Sequence, residues 1–198
     1  MSVTVTGGSG YSRSGSLVGT GAYTIACYVK ITSFTGGFES FVGIDDAGSN
    51  FSFFGMENSG SHFFRPDSRG SQLATGVSFS SGVWYYVAVT YNGSGSGTAY
   101  IAALNGAGLA ATTGTFQAAV GAGTTTRIGT DGFGANMTGE IAYLRMWSSA
   151  LTSGELETER LSTTVVKTST LIAAYHFDTA SRSEERRVGK ECLRLCRS

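Results

Sequence analysis

The sequence predicts an all-β fold: a two-sheet antiparallel jelly-roll sandwich with one short helix near 153–161. Period-two alternation of apolar and polar residues recurs at short intervals along the chain. Twenty-nine glycines stand against a single proline amid abundant Ser and Thr, which suits many strands joined by tight turns. The expected strands are also too numerous for one open sheet without curling. With 41% hydrophobic and 12% aromatic residues, the 198-residue chain holds enough apolar material for one sizeable core.

Tyr23, Ile25, Cys27, Val29 and Ile31 alternate with Thr24, Ala26, Tyr28 and Lys30, so a strand over 23–31 presents its apolar set to one face. Residues 84–91 divide in the same way, with Tyr85, Val87, Val89 and Tyr91 on one side and Trp84, Tyr86, Ala88 and Thr90 on the other. Both sides are apolar. That places the strand mid-sandwich, covered by the partner sheet on one side and by loops or side chains on the other. Further strands are expected over 38–44, 50–56, 61–65, 72–77, 98–104, 125–129, 139–147 and 170–177. Asn92-Gly93 and Asn105-Gly106 follow strand ends and readily supply the positive φ angles of type I′ turns, so two consecutive hairpins are expected there. Thr152-x-x-Glu155 is a capping box, and Leu151 and Leu156 hold the two positions of a hydrophobic staple. A helix from about 153 to 161 follows, plugging an edge of the sandwich.

The formal charge of zero conceals an asymmetry, because six of the fourteen Lys and Arg residues lie in 182–198. The run from Arg182 to Cys192 matches the in-frame translation of a common sequencing-library adapter over eleven consecutive residues. Residues 182–198 are therefore read as an adapter-derived tail and residues 1–181 as one domain. That domain carries eight basic and eleven acidic residues, a net −3 that leaves no nucleic-acid footprint and does not suit an anionic membrane. Cys192 and Cys196 belong to the tail, so Cys27 stands alone and no disulfide framework is expected. The opening Met1-Ser-Val-Thr-Val-Thr6 lacks the basic and apolar regions of a signal peptide. If Met1 is the true start, Sec export is not expected.

Five blocks in order resemble the LamG-like (laminin G-like) branch of the concanavalin A-like lectin/glucanase superfamily. Ala22-Tyr-Thr-Ile-Ala-Cys-Tyr-Val-Lys30 is similar to its early strand, and Gly82-Val-Trp-Tyr-Tyr-Val-Ala-Val-Thr-Tyr-Asn-Gly93 to its central strand. Ala103-Leu-Asn-Gly106, Arg127-Ile-Gly129 and Gly139-Glu-Ile-Ala-Tyr-Leu-Arg-Met-Trp147 follow, the last resembling Gly-x-Ile-Asp-Glu-Val-Arg-Ile-Tyr. Ala142 stands where that block has Asp, Tyr85 and Tyr86 replace a paired His, and Tyr28 replaces Trp. These changes keep strand character while removing polar groups.

The resemblance implies candidate chemistry without fixing it, since the superfamily hosts binders and hydrolases alike. Its glucanases place alternate carboxylates on one strand as Glu-x-Asp-x-x-Glu. No such run exists here, and Glu155, Glu157 and Glu159 fall on the expected helix, where they should spread over a solvated face. The lone histidines, His62 and His176, suit packing or surface positions better than catalysis. The resemblance also implies Ca²⁺ at the sandwich rim, with Asp45, Asp46 and Asp131 as candidate ligands in Gly-rich turns. The alternative, Asp as an ordinary turn residue, stays open. Among Phe51, Phe53, Phe54, Phe63 and Phe64, adjacent rings must point to opposite faces, which makes Phe53 and Phe63 candidate sugar-stacking residues and the rest core. Trp84 and Trp147 are expected in the core.

The function implied is a non-catalytic binding or adhesion module for a carbohydrate or cell-surface ligand, outside the cell or on a virion surface. The alternative is a structural or interaction module of a phage virion that contacts other virion proteins and binds no glycan.

Overall fold

A computed structural model describes residues 2–7, 10–15, 17–34, 37–45, 51–58, 60–119 and 125–177, with backbone alone at 51, 58, 185 and 186. Its elements are β1 (Val3–Val5), β2 (Tyr11–Ser14), β3 (Tyr23–Ile31), β4 (Gly37–Asp45), β5 (Phe51–Asn58), β6 (Phe63–Phe64), β7 (Asp67–Ser68) and β8 (Ser71–Gln72). There follow β9 (Trp84–Tyr91), β10 (Ser96–Ala103), β11 (Ala110–Thr115), β12 (Thr125–Ile128), β13 (Gly139–Trp147), α1 (Ser153–Arg160), β14 (Leu171–Tyr175) and β15 (Glu185–Arg186).

Two antiparallel sheets face each other. One has the order β11-β10-β9-β3-β13-β14-β15, and the other β2-β12-β4-β5-β7-β8 with β6 also on β5. β1 and β14 share one edge of β13: β1 pairs with Gly139–Ile141, and β14 with Leu144 to Trp147. The alternation in β3 and β9 sorts as the sequence predicts. Tyr23, Ile25, Cys27, Val29 and Ile31, with Tyr85, Val87, Val89 and Tyr91, enter the core between the sheets, where Phe54, Phe64, Ile44 and Met56 meet them. Burial of this apolar area is the main force holding the sheets together. It also pushes the Cys27 thiol up to about 12, so that the side chain packs as a small hydrophobe.

The opposite faces of β3 and β9 carry Ala26, Tyr86 and Ala88, and these pack with Trp147, Leu151 and Leu156 in a second cluster. The capping box forms as expected, with Thr152 Oγ1 accepting from the Glu155 N–H and Glu155 accepting from the Thr152 N–H. The staple residues Leu151 and Leu156 meet in that cluster. Helix α1 therefore covers the outer face of the larger sheet, where the sequence suggested an edge. A face rich in Ala and Tyr is too apolar to leave bare, and Leu156 is the residue that seals it.

Other expectations need correction. The β9-β10-β11 meander is present, yet neither Asn-Gly pair makes a type I′ turn, because Asn92 and Asn105 both keep negative φ. Asn92 Oδ1 instead accepts from the N–H groups of Ser94 and Ser96, an Asx-type closure of a longer loop. Of the strand expected over 72–77, only Gln72 falls in a strand, the two-residue β8. The short β1 and the polar edge strand β11, Ala-Ala-Thr-Thr-Gly-Thr, are strands the sequence pattern did not mark. Of the tail, the backbone of Glu185–Arg186 pairs with Ala174 and Tyr175 at the sheet edge; Cys192 and Cys196 lie outside the described residues.

Candidate functional site

Of the candidate calcium ligands, Asp46 lies outside the described residues. Asp45 ends β4 across from Thr125, and its buried carboxylate Oδ2 accepts from Arg127 Nε at 2.8 Å. Asp131 heads the turn after β12, where its Oδ1 accepts from the N–H groups of Phe133 at 2.8 Å and Ala135 at 3.0 Å. The Arg127 guanidinium bridges the end of β4 and the turn after β12. It lies against Gly132, whose φ of 85° favours glycine and where an added Cβ would stand 2.5 Å from Arg127 Nε. The chain thus supplies the cation at this rim, while Asp131 holds its own turn. No group of three or more His, Cys, Asp or Glu side chains is gathered for a metal among the described residues. Asp45 and Asp131 thus engage their carboxylates within the chain, and no function is routed through the ion.

The candidate stacking residues fall on the outer face of the smaller sheet. Phe53 lies between Gly43 and Asp67 in register, only 2% exposed, with its ring edge-on to Phe38 at 5.1 Å. It leaves no ring face open. Phe63, opposite Glu57, is half-buried. Phe54 and Phe64 point into the core, as opposite facing requires. The helix glutamates are not a uniform solvated face: Glu155 caps the helix, Glu157 grips Arg160, and Glu159 is fully buried against Arg145.

A concavity lies elsewhere, on the outer face of the larger sheet beside α1. It is a groove of about 460 Å³, within the range of small-molecule sites, and Tyr28, Trp84, Tyr143, Leu104, Arg160 and Leu161 are among its lining residues. Period two puts Tyr28 of β3 on the same outer face as Trp84 of β9, whose cross-strand partner is Lys30. β13 supplies Ala142 opposite Tyr28, and then Tyr143. Leu104 and Leu161, 45% and 72% exposed, form apolar lips.

The charged groups around the groove are closed on one another. Lys30 Nζ sits 5.2 Å over the Trp84 ring and pairs with Glu140, whose carboxyl that contact holds below its ordinary value. Arg160 is gripped by both carboxylate oxygens of Glu157, at 2.9 and 2.5 Å. The Tyr28 hydroxyl donates to the Arg160 carbonyl, and burial raises its pKa above the ordinary value, so it stays neutral. The result is an aromatic, electrically neutral trough with hydroxyls of Ser2, Ser162 and Thr163 along its margin. Trp147 is core, as expected, but Trp84 is a half-buried wall of this trough. The signal was available in the sequence: alternation places Tyr28 and Trp84 on the solvent side of their strands.

Comparison with known proteins agrees with this fold. No curated protein sequence matches the chain. Among solved structures, domain 4 of AbnA, a GH43 extracellular arabinanase from Geobacillus stearothermophilus in complex with arabinotriose, is similar, with TM-score 0.63 and 17% identity over 79% of this chain and 75% of that one. A native heptameric SAP-like pentraxin from Limulus polyphemus is similar at TM-score 0.54 and 19% identity, covering 80% and 81% of the two chains. Full-length tailspike protein 2 from an Escherichia coli O157:H7 bacteriophage is similar at TM-score 0.63 and 16% identity; the match covers 91% of this chain and 29% of the tailspike. At these identities the likeness is one of fold. The family model that matches residues 6–157 settles the kinship, and the chain belongs to the laminin G-type group of the concanavalin A-like lectin/glucanases superfamily.

Proposed function

We propose that the protein is a non-catalytic carbohydrate-binding module, exposed outside the cell or on a virion, that takes an uncharged saccharide in the groove beside α1. The observation that carries this reading is the convergence of Tyr28, Trp84 and Tyr143 on one groove whose neighbouring charges are internally paired. The C–H-bearing face of a sugar ring is apolar and stacks on aromatic rings, while its hydroxyls reach the polar margin. A neutral trough favours neutral sugars over phosphorylated or sulfated ones. The arabinotriose complex of the AbnA domain supports a saccharide partner. Against catalysis stand the carboxylates themselves, since retaining and inverting hydrolysis both need two that face one substrate. Among the described residues, Asp45, Glu57, Glu140, Glu155, Glu157 and Glu159 each hold a cationic side chain, Asp67 and Asp131 accept from backbone N–H groups of their own turns, and Glu39 is fully buried.

The test is calorimetric titration of the purified protein with neutral trisaccharides, arabinotriose first. Saturable binding that Trp84→Ala weakens at least tenfold supports the reading, and heat-silent titrations across the panel sink it. A second reading, a structural module of a phage appendage, is favoured by the tailspike likeness over 91% of this chain. Flanking gene sequence that encodes tail proteins, together with heat-silent titrations, would select it.

A further inference from the structure

We propose that Tyr143 is the specificity-determining contact of the groove, held in a strained backbone conformation so that its ring meets the bound sugar. The proposal rests on the carbohydrate reading and deepens it by naming the residue that selects.

β13 runs regularly to Ala142, which pairs with Tyr28, and resumes at Arg145, which pairs with Ala26. Between them is a bulge. It falls where the edge partner of β13 changes from β1 to β14. Ile141, Leu144 and Met146 enter the central core, whereas Ala142 and Tyr143 both line the outer groove. Strict alternation would have turned residue 143 inward. The extra residue instead re-aims its side chain outward, the recurrent use of a bulge beside a functional site.

The bulge has a conformational cost. Tyr143 has φ of 48°, in the left-handed region that favours glycine, one of three non-glycine residues with positive φ among those described. Glycine would adopt this turn without strain. Tyr143 repays the core little, because it belongs to neither hydrophobic cluster. Its ring is nevertheless fixed on several sides: edge-on to Tyr28 at 6.2 Å and 74°, perpendicular to His176 at 5.3 Å, and 5.7 Å from the Arg145 guanidinium carbon. A strained residue that adds little packing, yet is oriented within a groove, is the pattern of a side chain retained for what it contacts.

The competing role is structural, a lid of aromatic carbon over Arg145, and stability separates the two. The experiment compares wild type, Tyr143→Gly, Tyr143→Phe and Trp84→Ala by thermal melting and by titration with arabinotriose, xylotriose and cellotriose. Tyr143→Gly is expected to melt at or above the wild-type midpoint, because the strain is gone, while its affinity for the best-bound trisaccharide falls at least tenfold. Its ranking of the three sugars should also flatten. Tyr143→Phe is expected to keep the ranking. If Tyr143→Gly melts several degrees lower, or binds and ranks like wild type, the proposal is overturned. Should Trp84→Ala abolish binding while Tyr143→Gly does not, the groove is the site and Tyr143 is not its selector. Wild type binding none of the three sugars overturns this proposal along with the reading on which it rests.

Discussion

Glu159 and Arg145 form a fully buried ion pair, with Arg145 Nη1 donating to Glu159 Oε2 at 2.6 Å beneath helix α1. The pair also organises backbone: Glu159 Oε1 accepts from the N–H groups of Val166 and Lys167, and Arg145 donates to the carbonyls of Glu159 and Ser162. It ties the helix and the segment after it to β13.

Glu159→Ala is therefore expected to destabilise the protein by about 3–5 kcal/mol, since it strands a buried guanidinium and two backbone donors. Joint replacement of Arg145 and Glu159 by leucine should recover part of that loss. Denaturant melts of the single and double variants check it; a single variant within 1 kcal/mol of wild type, on the order of an exposed pair's worth, contradicts it.

Acid sensitivity should centre on the start of α1. Lys167 Nζ and the Thr152 N–H hold the Glu155 carboxyl down to about 2, from an ordinary 4.5. The folded-state value lies below the unfolded one, so the contribution is complete above about pH 4.5 and is lost as pH falls toward 2. The side chains are about a third exposed, so screening keeps the effect under about 1 kcal/mol. Melting midpoints between pH 5 and 2 should fall less steeply for Glu155→Gln than for wild type. Parallel slopes would contradict this.

Calcium should leave the melting curve where it is. Arg127 engages Asp45, and Asp131 caps its own turn, so neither of these two carboxylates stands open to an ion. Melts in millimolar Ca²⁺ and in chelator are expected to superimpose. A folded-state site held a hundredfold above its dissociation constant would add about 2.7 kcal/mol, and a shift of that order, removed by chelator, would show the opposite.

No turnover of β-glucans or arabinans is expected. Reducing-sugar release is the measurement, and activity abolished by changing a single carboxylate would establish an enzyme.

Deleting residues 182–198 should leave the thermal midpoint nearly unchanged, because the described part of that segment adds only two residue pairs at the edge of β14. A fall of several degrees would show the tail to be integral.

Much of the sandwich is legible in the sequence, because β3 and β9 are sorted by alternation alone and α1 is announced by Thr152, Glu155, Leu151 and Leu156. Strands without that contrast were silent: β11 is all Ala, Thr and Gly, and lies at an edge where neither face must be apolar. Asn92 misled because its side chain, rather than a left-handed backbone, closes the loop. The groove was missed for a different reason. Trp84 is large and apolar enough to look like core, and the bulge that turns Tyr143 outward shows in the sequence only as a slip of phase from Ile141 to Leu144 and Met146.

The two tryptophans stand in opposite surroundings, and this gives the molecule a pair of built-in optical reporters. Trp147 is wholly buried, its indole N–H donating to the Lys167 carbonyl at 2.7 Å, so its emission should be blue-shifted and change only when the sandwich opens. Trp84 is half-exposed under the Lys30 ammonium, within reach of solvent quenchers and of anything that settles in the trough. Fluorescence of Trp84→Phe would then follow unfolding alone, while that of Trp147→Phe would follow occupancy, so one unlabelled chain separates a loss of fold from a loss of ligand.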